Sequence, residues 1–244
     1  MIAFFAALQF LTVFPPIVRR PFTARELGLS TAFFPLVGLL LGGLLVASDR
    51  LMSHLALPTA VRASLLLAVW LGTTGALHFD GFLDSCDGIF GGRTVEDRLR
   101  IMRDEHVGAF AVSGGALLLL TKYASLASMA ERTTVLLLAP VLGRLIVTVC
   151  VVLFPYARVD GLGSQMKSEA GLAQLAIAAA VTLISCWYVA SWRGVIATAT
   201  ALGLAILFGS LVVRRLGGFT GDVYGASCET TEALVLVAGF WIST

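Results

Sequence analysis

Asp80, Asp84 and Asp87 stand at i, i+4 and i+7 within His78-Phe79-Asp80-Gly81-Phe82-Leu83-Asp84-Ser85-Cys86-Asp87-Gly88. On a helix this spacing puts the three carboxylates on one face. Like charges stacked in that way repel, so the cluster favours a divalent cation, and hard oxygen donors without a soft ligand select magnesium or calcium over zinc. Magnesium suits a site whose octahedron is completed by substrate phosphates. In a soluble protein three such aspartates would often be a solvated helix end. Here they follow directly on an apolar run in a chain poor in charge, and that setting favours the metal reading. Asp80, Asp84 and Asp87 are the expected ligands, with Asp84 and Asp87 also candidates for the chemistry itself.

The next segment, from Gly91 to His106, carries Arg93, Arg100 and Arg103, with Leu99, Met102 and His106 at helical spacing. A short amphipathic interfacial helix is expected there. Guanidinium forks bind phosphate oxygens in pairs, so the three arginines are candidate substrate ligands. Pairing of Arg100 with Glu96 or Asp104 is the alternative, and the sequence leaves both open. Asp104 joins Asp87 as a candidate general base.

A second polar stretch, Arg214 to Glu229, contains Gly217, Gly218, Thr220 and Gly221, then Asp222 and Glu229. Glycines let backbone amides approach an anion, so Gly218, Thr220 and Gly221 are candidate substrate contacts. Asp222 and Glu229, seven residues apart, could share a helix face and add to the metal ligands. Each of His54, His78 and His106 is expected to be structural or interfacial, although His78 adjoins the aspartates.

These residues need elements to hold them, and composition says which. The chain has 58% hydrophobic and 13% charged residues, a mean hydropathy of +0.92, and far fewer charges than the ~25% of a soluble domain. Its 244 residues allow about seven or eight spans of about 20 residues, with no room for a separate soluble domain. Apolar runs at 2–14, 29–49, 59–77, 107–129, 133–155, 171–191, 194–213 and 232–244 predict helices. None alternates as a barrel strand would. The expected fold is all-α, a polytopic transmembrane helical bundle forming one catalytic domain over 1–244. The first and last runs are short for full crossings. Gly38, Gly42 and Gly43, Gly114 and Gly115, and Gly171 are read as helix-packing positions.

A net charge of +2 without a basic stripe excludes nucleic acid as a partner. Four separated cysteines, with no CxxC pair, suggest reduced thiols. The amino terminus lacks a basic segment and a cleavage pattern, so it reads as a retained membrane segment. If every run crosses, Arg19, Arg20, Arg25, the arginines of 93–103, Arg158, Lys167, Arg214 and Arg215 share one side, which the positive-inside rule makes cytoplasmic. The two polar stretches lie on that side too. Lys122 and Arg144 fall inside spans; Arg144 is a functional candidate, and Lys122 is expected to snorkel.

HFDGFLDSCDGIFGGRTVEDRLRIMRD and GGFTGDVYGASCE resemble the two signature regions of the cobalamin synthase family. LQFLTVFP and FPLVGLLLGG extend the similarity over most of the chain. The resemblance implies a magnesium-dependent adenosylcobinamide-GDP ribazoletransferase of the cytoplasmic (inner) membrane in bacteria or archaea. Such an enzyme joins α-ribazole or its phosphate to adenosylcobinamide-GDP and releases GMP. Its partners would be those two small molecules and membrane lipid, with homo-oligomerisation left open. Two rivals differ in class. A CDP-alcohol phosphotransferase would carry an Ala-Arg pair after its first aspartates, absent here, and would release CMP. A transporter would place its polar residues at mid-membrane and give uptake without conversion.

Overall fold

The computed structural model describes residues 1–242, and its elements in chain order are helices joined by short turns. They are α1 (Ile2–Leu11), α2 (Ala24–Ser30), α3 (Phe34–His54), α4 (Thr59–Thr74), α5 (Leu77–Gly91), α6 (Val95–Ile101), α7 (Ala109–Ser128), α8 (Thr133–Leu153), α9 (Leu162–Glu169), α10 (Leu172–Leu216), α11 (Gly221–Val237) and α12 (Gly239–Ile242), with a 3-10 turn at Thr31–Phe33 between α2 and α3. Eight of them reach ten residues or more, in agreement with the expected all-α bundle. Among the described residues four segments are long and apolar enough to cross a membrane, namely Ala24–His54, α7, α8 and α10, and the bent pair α4–α5 makes a fifth if it is counted as one span. Ser243 and Thr244, at the end of the last apolar run, lie outside the described residues.

α8 is the axis of the bundle, with α3, α10 and α11 packed around it. Nearly all of its side chains are buried, because a helix apolar on every face can be satisfied only by neighbours or lipid. Pro140, inside α8, has no N–H for the carbonyl of Leu136. α3 comes in at that point: a Cβ on Gly42 would lie 2.8 Å from the Leu136 oxygen, and one on Gly38 would lie 2.5 Å from the Pro140 oxygen. Gly43, expected with them, has nothing within 4 Å of where a Cβ would stand, whereas helix packing is the role of Gly38 and Gly42. Gly114 and Gly115 do the same for α7 against Cys86 and Leu83 of α5. Gly171 does not; it is the N-cap residue of α10.

The runs at 171–191 and 194–213 are two helical limbs of α10, separated at Ser191 (φ 52°, ψ −138°) as the sequence predicts, with Gly194 folded tightly against the carbonyl of Cys186. The polar stretch 214–231 is mostly helical. Arg214 and Arg215 end α10, residues 217–220 turn, and α11 begins at Gly221, so Asp222 and Glu229 are both helical. The segment 78–106 is mostly helical as well, with α5 carrying the aspartates and α6 the expected short amphipathic helix.

α4 and α5 meet at 93°. Gly75 (φ 59°) and Ala76 (φ 54°) make that corner through two successive left-handed residues. Glycine takes the conformation freely, whereas alanine is strained there by roughly 1–2 kcal/mol. The corner redirects the chain so that α5 starts with His78 buried in the bundle core.

Candidate active site

The aspartate face of α5 meets the start of α11, and glycines set the separation. A Cβ on Gly225 would stand 2.8 Å from the carbonyl oxygen of His78, while Gly81 is pressed in the same way on Asp222. α11 is started by Thr220, whose hydroxyl accepts the N–H of Val223 at 3.3 Å. This N-terminus offers partial positive charge and free N–H groups near the carboxylates.

The crossing brings Asp80, Asp84 and Asp222 together. Asp84 is within electrostatic reach of Asp222, Asp80 and Asp87, and Asp222 within reach of Asp80. Arg158, from the turn after α8, donates to Asp222 Oδ2 at 2.7 Å and to the carbonyl of Met102 at 3.4 Å. Its Nε has no partner among the described residues. Beside this group opens a cavity of about 290 Å³, lined by Asp80, Asp222, Arg158, Tyr156, His78 and others. Tyr156 and Tyr224, with ring centroids 6.0 Å apart, form one wall, and behind them the stack continues into the core through Tyr224–Phe219 at 5.5 Å and Phe219–Phe154 at 5.1 Å. The Tyr224 hydroxyl is buried and has no hydrogen-bond partner among the described residues. An acidic edge, one guanidinium and an aromatic wall can together receive a metal-bound phosphate ester that carries flat rings.

The sequence model of the cobalamin-5-phosphate synthase family matches residues 3–240. Proteins named adenosylcobinamide-GDP ribazoletransferase are similar to this chain along almost their whole length. That of Geotalea daltonii (strain DSM 22248 / JCM 15807 / FRC-32) is 41% identical over 237 residues, covering 96% of this chain and 95% of its own. That of Desulfitobacterium hafniense (strain Y51) is 39% identical over 242 residues, covering 96% and 94%, and that of Pseudomonas putida (strain W619) is 36% identical over 247 residues, covering all of both. No solved structure matches the chain. This chain belongs to the cobalamin-5-phosphate synthase family.

In this member of the cobalamin-5-phosphate synthase family the expected site residues are only partly gathered. Asp80, Asp84, Asp222 and the 218–221 turn are neighbours. Gly221 is open to the cavity, with nothing within 4 Å of where a Cβ would stand. Gly218 instead lies tight against the backbone of Pro155 and Ala157, where Phe219 and Tyr156 form an isolated bridge, so it positions the turn. Asp87 accepts the N–H groups of Gly108 (2.6 Å) and Ala111 (2.8 Å), which makes it the cap of α7. Asp104 lies on the surface, 2.7 Å from His106 Nδ1. Hydrogen bonds from His106 hold its carboxyl below the usual carboxylate range, which weakens it as a base. Arg93 and Arg103 are exposed beside α6, and Arg100 pairs with Asp97 at 3.2 Å instead of Glu96 or Asp104.

Glu229, expected among the metal ligands, is placed elsewhere. It is 4% exposed and 2.6 Å from Lys122 Nζ, which also binds Glu232 at 2.7 Å. Glu232 in turn binds Arg144, and Arg144 Nη2 is 3.4 Å from His78 Nδ1. Lys122 therefore does not snorkel; it is 3% exposed and held by two carboxylates. Arg144 is fully buried, as its position inside a span implied.

Sequence reasoning missed Arg158 and Tyr156 as site residues. Both sit in Phe154-Pro155-Tyr156-Ala157-Arg158, directly after a span on the basic side, and that position was the available signal.

Among the described residues no three His, Cys, Asp or Glu side chains stand close enough to hold a metal ion by themselves. Magnesium characteristically takes only one or two carboxylates and completes its shell with water and substrate phosphates. Asp80 and Asp84, opposed by Asp222, are a donor set of that kind.

Proposed function

We propose that this chain is an adenosylcobinamide-GDP ribazoletransferase, joining α-ribazole or its 5′-phosphate to adenosylcobinamide-GDP with release of GMP. One observation carries the reading: a full-length match to the family coincides with a cavity edged by Asp80 and Asp222 and gripped by Arg158.

In this reading the ribazole hydroxyl oxygen forms a bond to the phosphorus that bears cobinamide, the bridging bond to GMP breaks in line, and GMP keeps the electron pair. Bound magnesium, held by Asp80 and Asp84 with Asp222 opposite, would supply charge neutralisation on the phosphates. Arg158 orients a phosphate oxygen with the N–H groups that Asp222 leaves free. The N-terminus of α11 adds positive potential from Gly221. The hydroxyl proton passes to a carboxylate at the cavity edge. Asp222 is the best placed, because Asp87 is committed to capping α7 and Asp104 to His106. Tyr156 and Tyr224 offer stacking surface to the base of the incoming nucleoside.

The site lies at the end of the bundle where Arg98 donates to the carbonyl of Arg215 at 3.0 Å and Lys167 to that of Val152 at 2.9 Å. This basic end is the cytoplasmic one by the positive-inside rule, and a cytoplasmic (inner) membrane is the compartment the reading requires. The exposed Trp187, Tyr188 and Trp192 near the α10 break then meet lipid at the opposite interface.

The test is GMP release by detergent-purified protein given adenosylcobinamide-GDP, α-ribazole 5′-phosphate and magnesium. Release dependent on all three supports the reading; release of CMP from a CDP-alcohol, without GMP release, overturns it.

A further inference from the structure

The buried charge network ends at a ring that lines the cavity. His78 is only 5% exposed, yet it borders the cavity between Asp80 and Gly225. Its Nδ1 is 3.4 Å from Nη2 of Arg144. A guanidinium donates and never accepts, so Nδ1 is the accepting nitrogen and the ring proton resides on Nε2. Nε2 has no protein partner among the described residues.

Everything around the ring restricts its movement. Glu232 holds Arg144 through Nη1, and Lys122 holds Glu232 and Glu229. Gly225 allows the α11 backbone to press on the backbone of His78 itself. The contact chain Lys122, Glu232, Arg144, His78 thus joins α7, α11, α8 and α5. Burying four ionised groups costs stability that an apolar core would not. Fixing one donor at the floor of a phosphate site is a return in kind, because a preorganised N–H needs no reorientation when charge develops.

We infer that His78 donates Nε2–H to a phosphate oxygen of the nucleotide-activated substrate, with Arg144 and Glu232 as positioning residues that set its tautomer. This rests on the phosphoryl-transfer reading above. The donor would complement Arg158, which approaches the same space from the aspartate side.

Nitrogen-15 histidine labelling tests the tautomer directly. Only three histidines are present, and His54→Gln and His106→Gln, both at exposed positions, leave His78 as the one signal. The expected spectrum is that of the Nε2–H tautomer, with the Nε2 resonance moving when GDP and magnesium are added. An Nδ1–H tautomer overturns the inference. GDP binding to two further variants separates donation from support of Arg144. His78→Gln can still place an N–H near the Nε2 position, whereas His78→Asn keeps an acceptor for Arg144 and falls short of the cavity. GDP should bind His78→Gln nearly as well as the unaltered protein and His78→Asn about tenfold more weakly, the scale of one hydrogen bond to a charged group. Equal binding by both variants, or the reverse order, overturns the inference. GMP release by the unaltered protein is scored separately, so failure of the donor role is distinguished from failure of the phosphoryl-transfer reading.

Discussion

Gly81 and Asp222 are in backbone contact: a Cβ on Gly81 would lie 2.7 Å from the Asp222 carbonyl oxygen and 2.8 Å from its Cα. Neither atom is the end of a flexible side chain, so the methyl of Gly81→Ala can be housed only by moving α5 away from α11. Asp80 and Asp84 would then separate from Asp222. We expect a stability loss of about 1–3 kcal/mol from overpacking and a fall in kcat/KM on the order of a hundredfold from the misplaced site. Thermal unfolding in detergent and the GMP assay measure the two effects, and normal turnover by the variant would show that the crossing does not set the site.

Magnesium dependence should discriminate among the aspartates. Asp84→Asn is expected to abolish turnover or raise the magnesium requirement steeply, because it removes a hard anionic donor. Asp104→Asn, at the surface with His106, should keep most of the activity. Magnesium titrations of both variants decide this, and a reversed order would return Asp104 to the site.

Arg158 offers a second contrast. Arg158→Lys keeps the charge but loses the planar fork that bonds Asp222 and leaves Nε free. A loss of about ten- to a hundredfold in kcat/KM is expected, since Lys binds phosphate as a point charge. A lysine variant with unchanged KM for adenosylcobinamide-GDP would remove Arg158 from substrate binding.

The core network predicts an asymmetry in stability. Lys122→Met leaves Glu229 and Glu232 side by side with one cation, Arg144, for two carboxylates. Breaking a buried pair in this way costs about 3–5 kcal/mol. Combining it with Glu229→Gln should recover a large part of that loss, as read from the unfolding temperature in detergent. A double variant no more stable than Lys122→Met would mean that the charges are not coupled as the geometry indicates.

Orientation is open to labelling from each side of the membrane. The four native cysteines are all buried, so they leave a low background. Glu96→Cys, beside the site, should react with an impermeant maleimide only from the cytoplasm. Arg193→Cys, next to the α10 break, should react only from the other side. The opposite pattern would invert the assigned topology.

Much of this was legible in the residues alone. An apolar composition cannot be hidden from water by 244 residues, so a helical membrane bundle follows from hydropathy and backbone hydrogen bonding without any tertiary information. The i, i+4, i+7 spacing of Asp80, Asp84 and Asp87 depends only on helical pitch, and α5 is indeed a helix there. The Gly38 and Gly42 face of α3 was readable for the same reason. The fates of those carboxylates were not readable. Asp87 turns to the N–H groups of α7, Glu229 to Lys122, and Arg158 arrives 64 residues before its partner Asp222. Each choice is made between helices, where the partner of a charge depends on which backbones glycine allows to touch and on the cost of leaving any charge in the core alone. Periodicity along one helix carries no record of its neighbour, so only the packed bundle could decide which acids face the cavity and which close the core.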